Sequence, residues 1–308
     1  MLRQNIASGN LRHAYLFSGP DGVGRRTLAL RFAQAVNCTE LPAPGEACGE
    51  CITCKQIERM QYPDLTIVQP EEEGAILKVR QIRDLEHTLS LTPFGSGYRI
   101  ALLLNFESAN ANAQNALLKT LEEPNPRVLL LLTADDPENL LPTITSRCEL
   151  LRLRSMSAEA LAKILVKEET LPQEKAELIA HISSGRVGYA KQLASNAETL
   201  ERRKQWLDDL GGLLPAEIKE RFHYSEKITR SGRKDRVEAK RALMEGMRYW
   251  LSFWRDVLLV STESGTAITN IDIEDTISQT VEAVTAREAE RAVSALEHAF
   301  RRVQMANL

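Results

Sequence analysis

Four cysteines stand close together in the chain: Cys38, then nine residues, then Cys48-Gly49-Glu50-Cys51-Ile52-Thr53-Cys54. Three of them at C-x2-C-x2-C spacing suit a tetrahedral thiolate site for one zinc ion. Pro42, Pro44, Gly45 and Gly49 make the intervening stretch a loop that needs a staple. With all four ligands drawn from protein, such a site is closed and structural, not catalytic. Disulfides would use the same residues, and a reducing compartment disfavours them. An iron–sulfur cluster also takes four thiolates, and spacing alone leaves it open. The fifth cysteine, Cys148, follows Arg147 in Thr145-Ser146-Arg147-Cys148 and reads as a small buried hydrophobe with no histidine nearby to activate it.

A second constellation precedes the cysteines. Ser18-Gly19-Pro20-Asp21-Gly22-Val23-Gly24-Arg25-Arg26-Thr27 follows an apolar run and opens an amphipathic one. A phosphate-binding loop belongs there: its glycines let backbone N–H groups curl around phosphate oxygens, and the helix dipole favours the anion. Gly19 and Gly24 hold the spacing of that motif. A working loop then needs lysine, which reaches the terminal phosphates, and a hydroxyl, which binds magnesium. This chain has Arg25 and Arg26 instead. Arginine keeps the charge but not the compact geometry of an ammonium. Thr27 comes one residue late, which turns its hydroxyl about 100° around the helix.

A further strand should supply an aspartate for magnesium and a glutamate to activate water. The candidate, Ile100-Ala101-Leu102-Leu103-Leu104-Asn105-Phe106-Glu107, offers Leu-Asn where Asp-Glu is expected. Glu107 is the nearest acid, and its two-residue displacement is expected to turn it away. Loss of the lysine, both metal ligands and the water activator together describes a hydrolase without its tools. Nucleotide binding without turnover stays open on these residues.

The elements that would position these groups are legible. Residues 14–17, 65–68, 100–104, 128–132 and 150–151 read as strands, several of them apolar throughout, as in a parallel sheet covered on both faces. Helical stretches over 28–36, 79–90 and 109–122 lie between them, the last stopped by Pro124. The alternation predicts a doubly wound α/β domain over residues 1–155, with a zinc module at about 38–54. A small helical unit follows over 156–197: Ser157 caps a helix to about Glu169, and another spans Glu174 to Ile182 and ends at Gly185. From 198 to 308 the chain is helical in period throughout. Val237, Met244, Met247, Leu251, Trp254 and Leu258 repeat at near-heptad spacing, and Thr285 with Glu288 forms a capping box. The chain stops inside this last helical stripe with no capping residue, as expected of a C-terminally shortened sequence.

The composition bounds the function. At 308 residues, 43% hydrophobic and 26% charged, the chain is long enough for two or three cores. It has no apolar run long enough to span a bilayer and no signal-peptide core, so a cytoplasmic protein is expected. A net charge of −3 argues against a surface built wholly for nucleic acid. Between Lys219 and Arg241, nine basic residues face four acidic ones. That stretch suits either a solvated helical surface or a local DNA contact.

The order of these features resembles a known family. A phosphate loop, a four-cysteine insert, then Asn115-Ala116-Leu117-Leu118-Lys119-Thr120-Leu121-Glu122-Glu123-Pro124, then Ser146-Arg147-Cys148, is similar to the bacterial clamp-loader AAA+ subunits of DNA polymerase III. The likeness runs over residues 10–155, with lid and collar domains expected after it. It implies an AAA+ P-loop-type sheet domain, structural zinc, and a hetero-oligomeric ring with gamma/tau and delta subunits. It further implies action on a sliding clamp and primed DNA. In that family the gamma/tau subunits hydrolyse ATP and delta-prime often does not; the eroded loop resembles the latter. Thr133 falls at the family's polar sensor position, without hydrolysis to sense. The lid position of a phosphate-sensing arginine is filled by Gly188, with Arg186 two residues off. The resemblance gives Arg147 the role of an arginine finger lent in trans to a neighbour's ATP site. Its rivals are an active gamma/tau-like ATPase using Arg25 for lysine, and a zinc-containing DNA-binding module.

Overall fold

The computed structural model describes residues 2–71, 75–91, 94, 95, 97–231 and 236–305. The chain divides into two compact units, Met1–Ser155 and Met156–Leu308. In the first, the elements run α1 (Leu2–Ala7), β1 (Ala14–Ser18), α2 (Arg25–Asn37), α3 (Ile52–Glu58), β2 (Leu65–Val68), α4 (Val79–Ser90) and β3 (Arg99–Leu103). Then come α5 (Ala111–Glu122), β4 (Val128–Ala134), α6 (Pro142–Thr145) and β5 (Glu149–Arg152). The strands form one parallel sheet in the order β2-β3-β4-β1-β5, with Leu16 opposite Leu132 on one side and Leu150 on the other. This is the doubly wound parallel sheet that the alternation of strands and helices predicts.

The apolar strands make sense once both faces are counted. Leu16, Leu103, Leu130 and Leu132 pack with Leu85 of α4 and Leu117 and Leu121 of α5. Their neighbours Tyr15, Phe17, Leu102 and Leu131 point the other way, against Phe32 of α2 and Ile57 of α3. Each fully buried side chain of this size contributes about 1.5–3 kcal/mol. The two faces therefore fix β1 and β4 in place, and with them the loops at their carboxyl ends, where ligands of such sheets bind.

One charged pair is built into this core. Arg99, at the start of β3, places Nη2 3.1 Å from Oδ1 of Asp64, and both side chains are almost wholly buried. The guanidinium also donates to the carbonyls of Thr88 and Leu91, and Asp64 accepts from the backbone N–H groups of Phe94 and Gly95. The sequence reading began β3 at Ile100; the Asp64 pair draws the strand back to Arg99.

The second unit is helical: α7 (Ala158–Glu169), α8 (Gln173–Ile182), α9 (Val187–Ser195), α10 (Ala197–Leu213), α11 (Ile218–Ser231), α12 (Arg236–Ser261), α13 (Glu274–Ala283) and α14 (Ala286–Met305). Ser157 Oγ accepts from the Ala160 N–H as the cap of α7. Thr285 and Glu288 exchange the two hydrogen bonds of the capping box before α14. Leu161, Leu165, Ile179 and Leu193 form one core, and Leu207, Phe253, Val257 and Ile277 another. Helix does not run unbroken after residue 198. Between α12 and α13 the chain turns around the fully buried Asp256, which accepts from the N–H groups of Thr269 and Asn270 and from Asn270 Nδ2. Arg203 of α10 pairs with Asp272 at 2.6 Å from the same turn. Buried charge satisfied by backbone donors is what overrides the helical period there.

Candidate functional site

The phosphate loop leaves β1 at Ser18 and enters α2 at Arg25. Gly19, Gly22 and Gly24 all take positive φ, at 145°, 77° and 105°. At Gly19 the need is also steric, because a Cβ would strike the carbonyl oxygen of Leu153. The Gly19 N–H is held by the carbonyls of Ala134 and Asp135, which ties the loop to the end of β4. The backbone cradle is thus intact.

Arginines fill its two working positions. Arg25, at the lysine position, is 7% exposed, with Nη2 3.6 Å from Oδ1 of Asp21. Its Nη1 is buried without a hydrogen-bond partner. Arg26, at the hydroxyl position, extends instead to Met60, with Nη2 3.0 Å from Sδ. It lines a groove of about 190 Å³ with Thr27, Leu30, Arg31, Gln34 and Glu58. Arg26 and Thr27 therefore share a groove between α2 and α3.

Glu107 corrects an expectation. Its carboxyl is not turned away: Oε2 is buried without a partner, and its pKa is raised to about 7. Burial is the main cause and repulsion from Asp135 adds to it, while backbone N–H groups and the Arg25 charge pull the other way. Asn105 explains the placement. It adopts a left-handed φ of 51° at the end of β3, and the short 3-10 turn Phe106–Ser108 follows. That kink brings the displaced acid back within electrostatic reach of Arg25. An asparagine after an apolar strand is the signal that could have found it. The Asn105 N–H also donates to Thr133 Oγ1 at 2.9 Å, so the buried Thr133 fastens β3 to β4.

The cysteines meet as their spacing implies. Cys38 caps the end of α2, Cys51 caps the start of α3, and Cys54 lies within α3. The four Sγ atoms lie within 4.8 Å of one another, with Cys38–Cys48 at 3.5 Å and Cys48–Cys54 at 3.9 Å. A tetrahedron of sulfurs about 2.3 Å from one ion has edges of about 3.8 Å. All five cysteines are free thiols, and several irons would hold the sulfurs farther apart. Backbone N–H groups of Cys48, Glu50, Cys51 and Cys54 donate to the sulfurs at 3.3–3.4 Å. Such donors favour thiolates. At Cys51 burial opposes ionisation, but hydrogen bonds from Thr39 and Cys54 outweigh it and bring the thiol down to about 6. Burial pushes Cys54 well up. The donor set fits a single metal ion.

The two downstream motifs touch. Arg147 follows α6 and its Nη2 lies 2.8 Å from Oε1 of Glu122, the last residue of α5. Gln114, which the sequence did not single out, links the same two elements. It donates to the Ala109 carbonyl and accepts from the Leu141 N–H, just before α6. Cys148 packs against the α4–α5 core and burial raises its pKa to about 12, as expected of an inert thiol.

In the second unit Arg186 donates to the Ser183 carbonyl and lies over the Tyr189 ring at 4.8 Å. Gly188 is exposed on α9. Within the basic stretch, residues 232–235 lie outside the described residues. Of the rest, Arg221 caps α10 through the carbonyls of Leu213 and Leu214, and Lys219 and Lys227 are exposed. Among the described residues no helix is long and apolar enough to cross a membrane.

Comparison with known proteins adds the family. Residues 1–157 match the family model described as DNA polymerase III, delta subunit. DNA polymerase III subunit delta' of Pseudomonas aeruginosa is 38% identical over 210 residues, covering 67% of this chain and 62% of that protein. Subunit delta' of Bacillus subtilis is 36% identical over 203 residues, covering 66% and 60%. Subunit tau of Escherichia coli is 33% identical over 201 residues, 64% of this chain and 31% of that one. The chain spans about three-fifths of the length of the two delta' relatives. The matched segment holds the phosphate loop, the cysteine cluster, Glu122 and Arg147 together, and the chain belongs to the DNA polymerase III delta-subunit family.

Proposed function

We propose that this chain is a delta-prime-like subunit of the bacterial replicative clamp loader that hydrolyses no ATP and lends Arg147 to a neighbouring ATPase subunit. The observation that carries this reading is the fate of the loop's two working positions. Arg25 is buried beside Asp21 and Arg26 reaches Met60 instead. Neither can supply the hydroxyl ligand that magnesium needs, and Asn105 stands where the strand should supply an acid. A loop that keeps its backbone cradle without these groups is a scaffold, not an engine.

The remaining parts follow from the family. The chain works in the cytoplasm, in a hetero-oligomeric ring with gamma/tau and delta subunits. Residues 156–197 serve as the lid and 198–308 as the collar that holds the ring. The assembly opens a sliding clamp and loads it onto primed DNA. Zinc is the ion at Cys38, Cys48, Cys51 and Cys54: four thiolates without an open position staple the insert between α2 and α3. Thr133 and Arg186 sense no phosphate here, since each is engaged in holding its own fold.

The test uses the purified full chain with magnesium and ATP. Phosphate release should not exceed that of the Arg25→Ala variant. Turnover that disappears in Arg25→Ala would make the chain an active motor. Salt-dependent DNA affinity of the isolated chain would favour the DNA-binding reading instead.

A further inference from the structure

We infer that Glu122 is a latch, storing the Arg147 side chain in cis and yielding it to the phosphates of a neighbouring subunit. This rests on the finger reading proposed above and adds a residue to it. Among the described residues Arg147 makes three polar contacts: Glu122 Oε1 at 2.8 Å, the Thr143 carbonyl at 2.9 Å and Ser146 Oγ at 3.5 Å. Two of them come from the arginine's own turn. Glu122 is the contact from another element and the one that carries charge.

The storage place is rigid. Helix α5 is capped by Asn110, whose side chain accepts from the Ala113 N–H, and it is pinned to the segment before α6 by Gln114. Glu122 ends that helix, where unpaired carbonyls add to the negative field seen by a cation. Cys148, packed against the core, holds the backbone next to Arg147. Only the arginine side chain has to move.

The latch is also weak. The side chains are 36% exposed for Arg147 and 51% for Glu122, and ion pairs this open to water are readily exchanged. A polyphosphate carries more negative charge than one carboxylate and accepts the guanidinium fork bidentately. Exchange of Glu122 for phosphate is therefore downhill once a neighbour presents its nucleotide. Without that phosphate, Glu122 keeps the finger off the site.

Two measurements test this. In the full chain, Arg147 labelling by phenylglyoxal, read by peptide mass spectrometry, should rise about two- to five-fold in Glu122→Gln and stay at the wild-type level in Glu122→Asp. In the ring assembled with gamma/tau and delta subunits, without clamp or DNA, Glu122→Gln should raise ATP turnover by a similar factor. That gain should vanish when Arg147→Ala is added. Unchanged labelling, or an unchanged or lowered rate in Glu122→Gln, overturns the latch. If Arg147→Ala alone leaves turnover unaltered, the finger reading itself falls. If Arg147→Ala lowers turnover and Glu122→Gln does not raise it, the latch falls alone.

Discussion

Arg25 lies with its guanidinium 3.6 Å from the Asp21 carboxylate, inside the loop where a hydrolase would present a lysine to phosphate. The pair is asymmetric, with a buried cation and an exposed anion. A lysine alone would not restore what is missing. The double variant Arg25→Lys/Arg26→Thr should still release no phosphate from ATP, because Leu104 and Asn105 stand where the strand should end in two acids, and Glu107, which the kink brings near Arg25, has its pKa raised to about 7 by burial. Steady phosphate release from that variant, above a blank, would show that the loop's two arginines were the whole defect.

Glu107 makes stability depend on pH. Its folded pKa of about 7 lies above its unfolded value near 4.5, so the folded state holds the proton more tightly. Stability is lost as pH rises through the window from about 4.5 to about 7, and the full penalty stands above it. Glu107→Gln removes the carboxylate. Urea unfolding should find Glu107→Gln more stable than wild type by about 1–2 kcal/mol at pH 8, a figure reduced for the solvent that reaches this side chain. The gap should shrink at pH 5. Equal gaps at both pH values would mean that burial is not what shifts this group.

The Asp64–Arg99 pair is buried in the first unit. Asp64→Ala leaves a buried guanidinium without its carboxylate and strips the Phe94 and Gly95 N–H groups of their acceptor. Chemical denaturation should record a loss of about 3–5 kcal/mol. A loss below about 1 kcal/mol would show that water replaces Asp64 at that place.

The cysteine site should carry one zinc per chain by elemental analysis. Cys54→Ser should lower that ratio and speed amide exchange over residues 38–58, and Cys148→Ser should leave the metal in place. Iron in place of zinc, or no metal in freshly purified protein, would contradict the assignment.

Much of this was legible in the sequence because it is local. The ranges 65–68 and 79–90 were read as they stand, and Ser157, Thr285 and Glu288 cap helices where their types predict. The cysteines needed only spacing and a loop. What escaped depends on packing between distant segments. Arg26 lies on the helix side that faces Met60, a direction fixed only when α2 packs beside α3. Glu107 was misjudged because periodicity assumes a regular strand end, and Asn105 breaks that regularity with a left-handed residue. Gln114 looked like one more helix former; its buried amide earns notice only with the Leu141 N–H beside it. The turn at Asp256 interrupts a period that apolar residues alone would have continued.

As proposed, this chain supplies chemistry to a site it does not own. The direct measurement is DNA-stimulated ATP turnover of the ring rebuilt with gamma/tau and delta subunits, comparing wild-type chain with Arg147→Ala. Turnover at the site facing Arg147 should fall by about 10³-fold or more, with the ring still assembled. An assembled Arg147→Ala ring that turns over ATP at the wild-type rate at every site would contradict it.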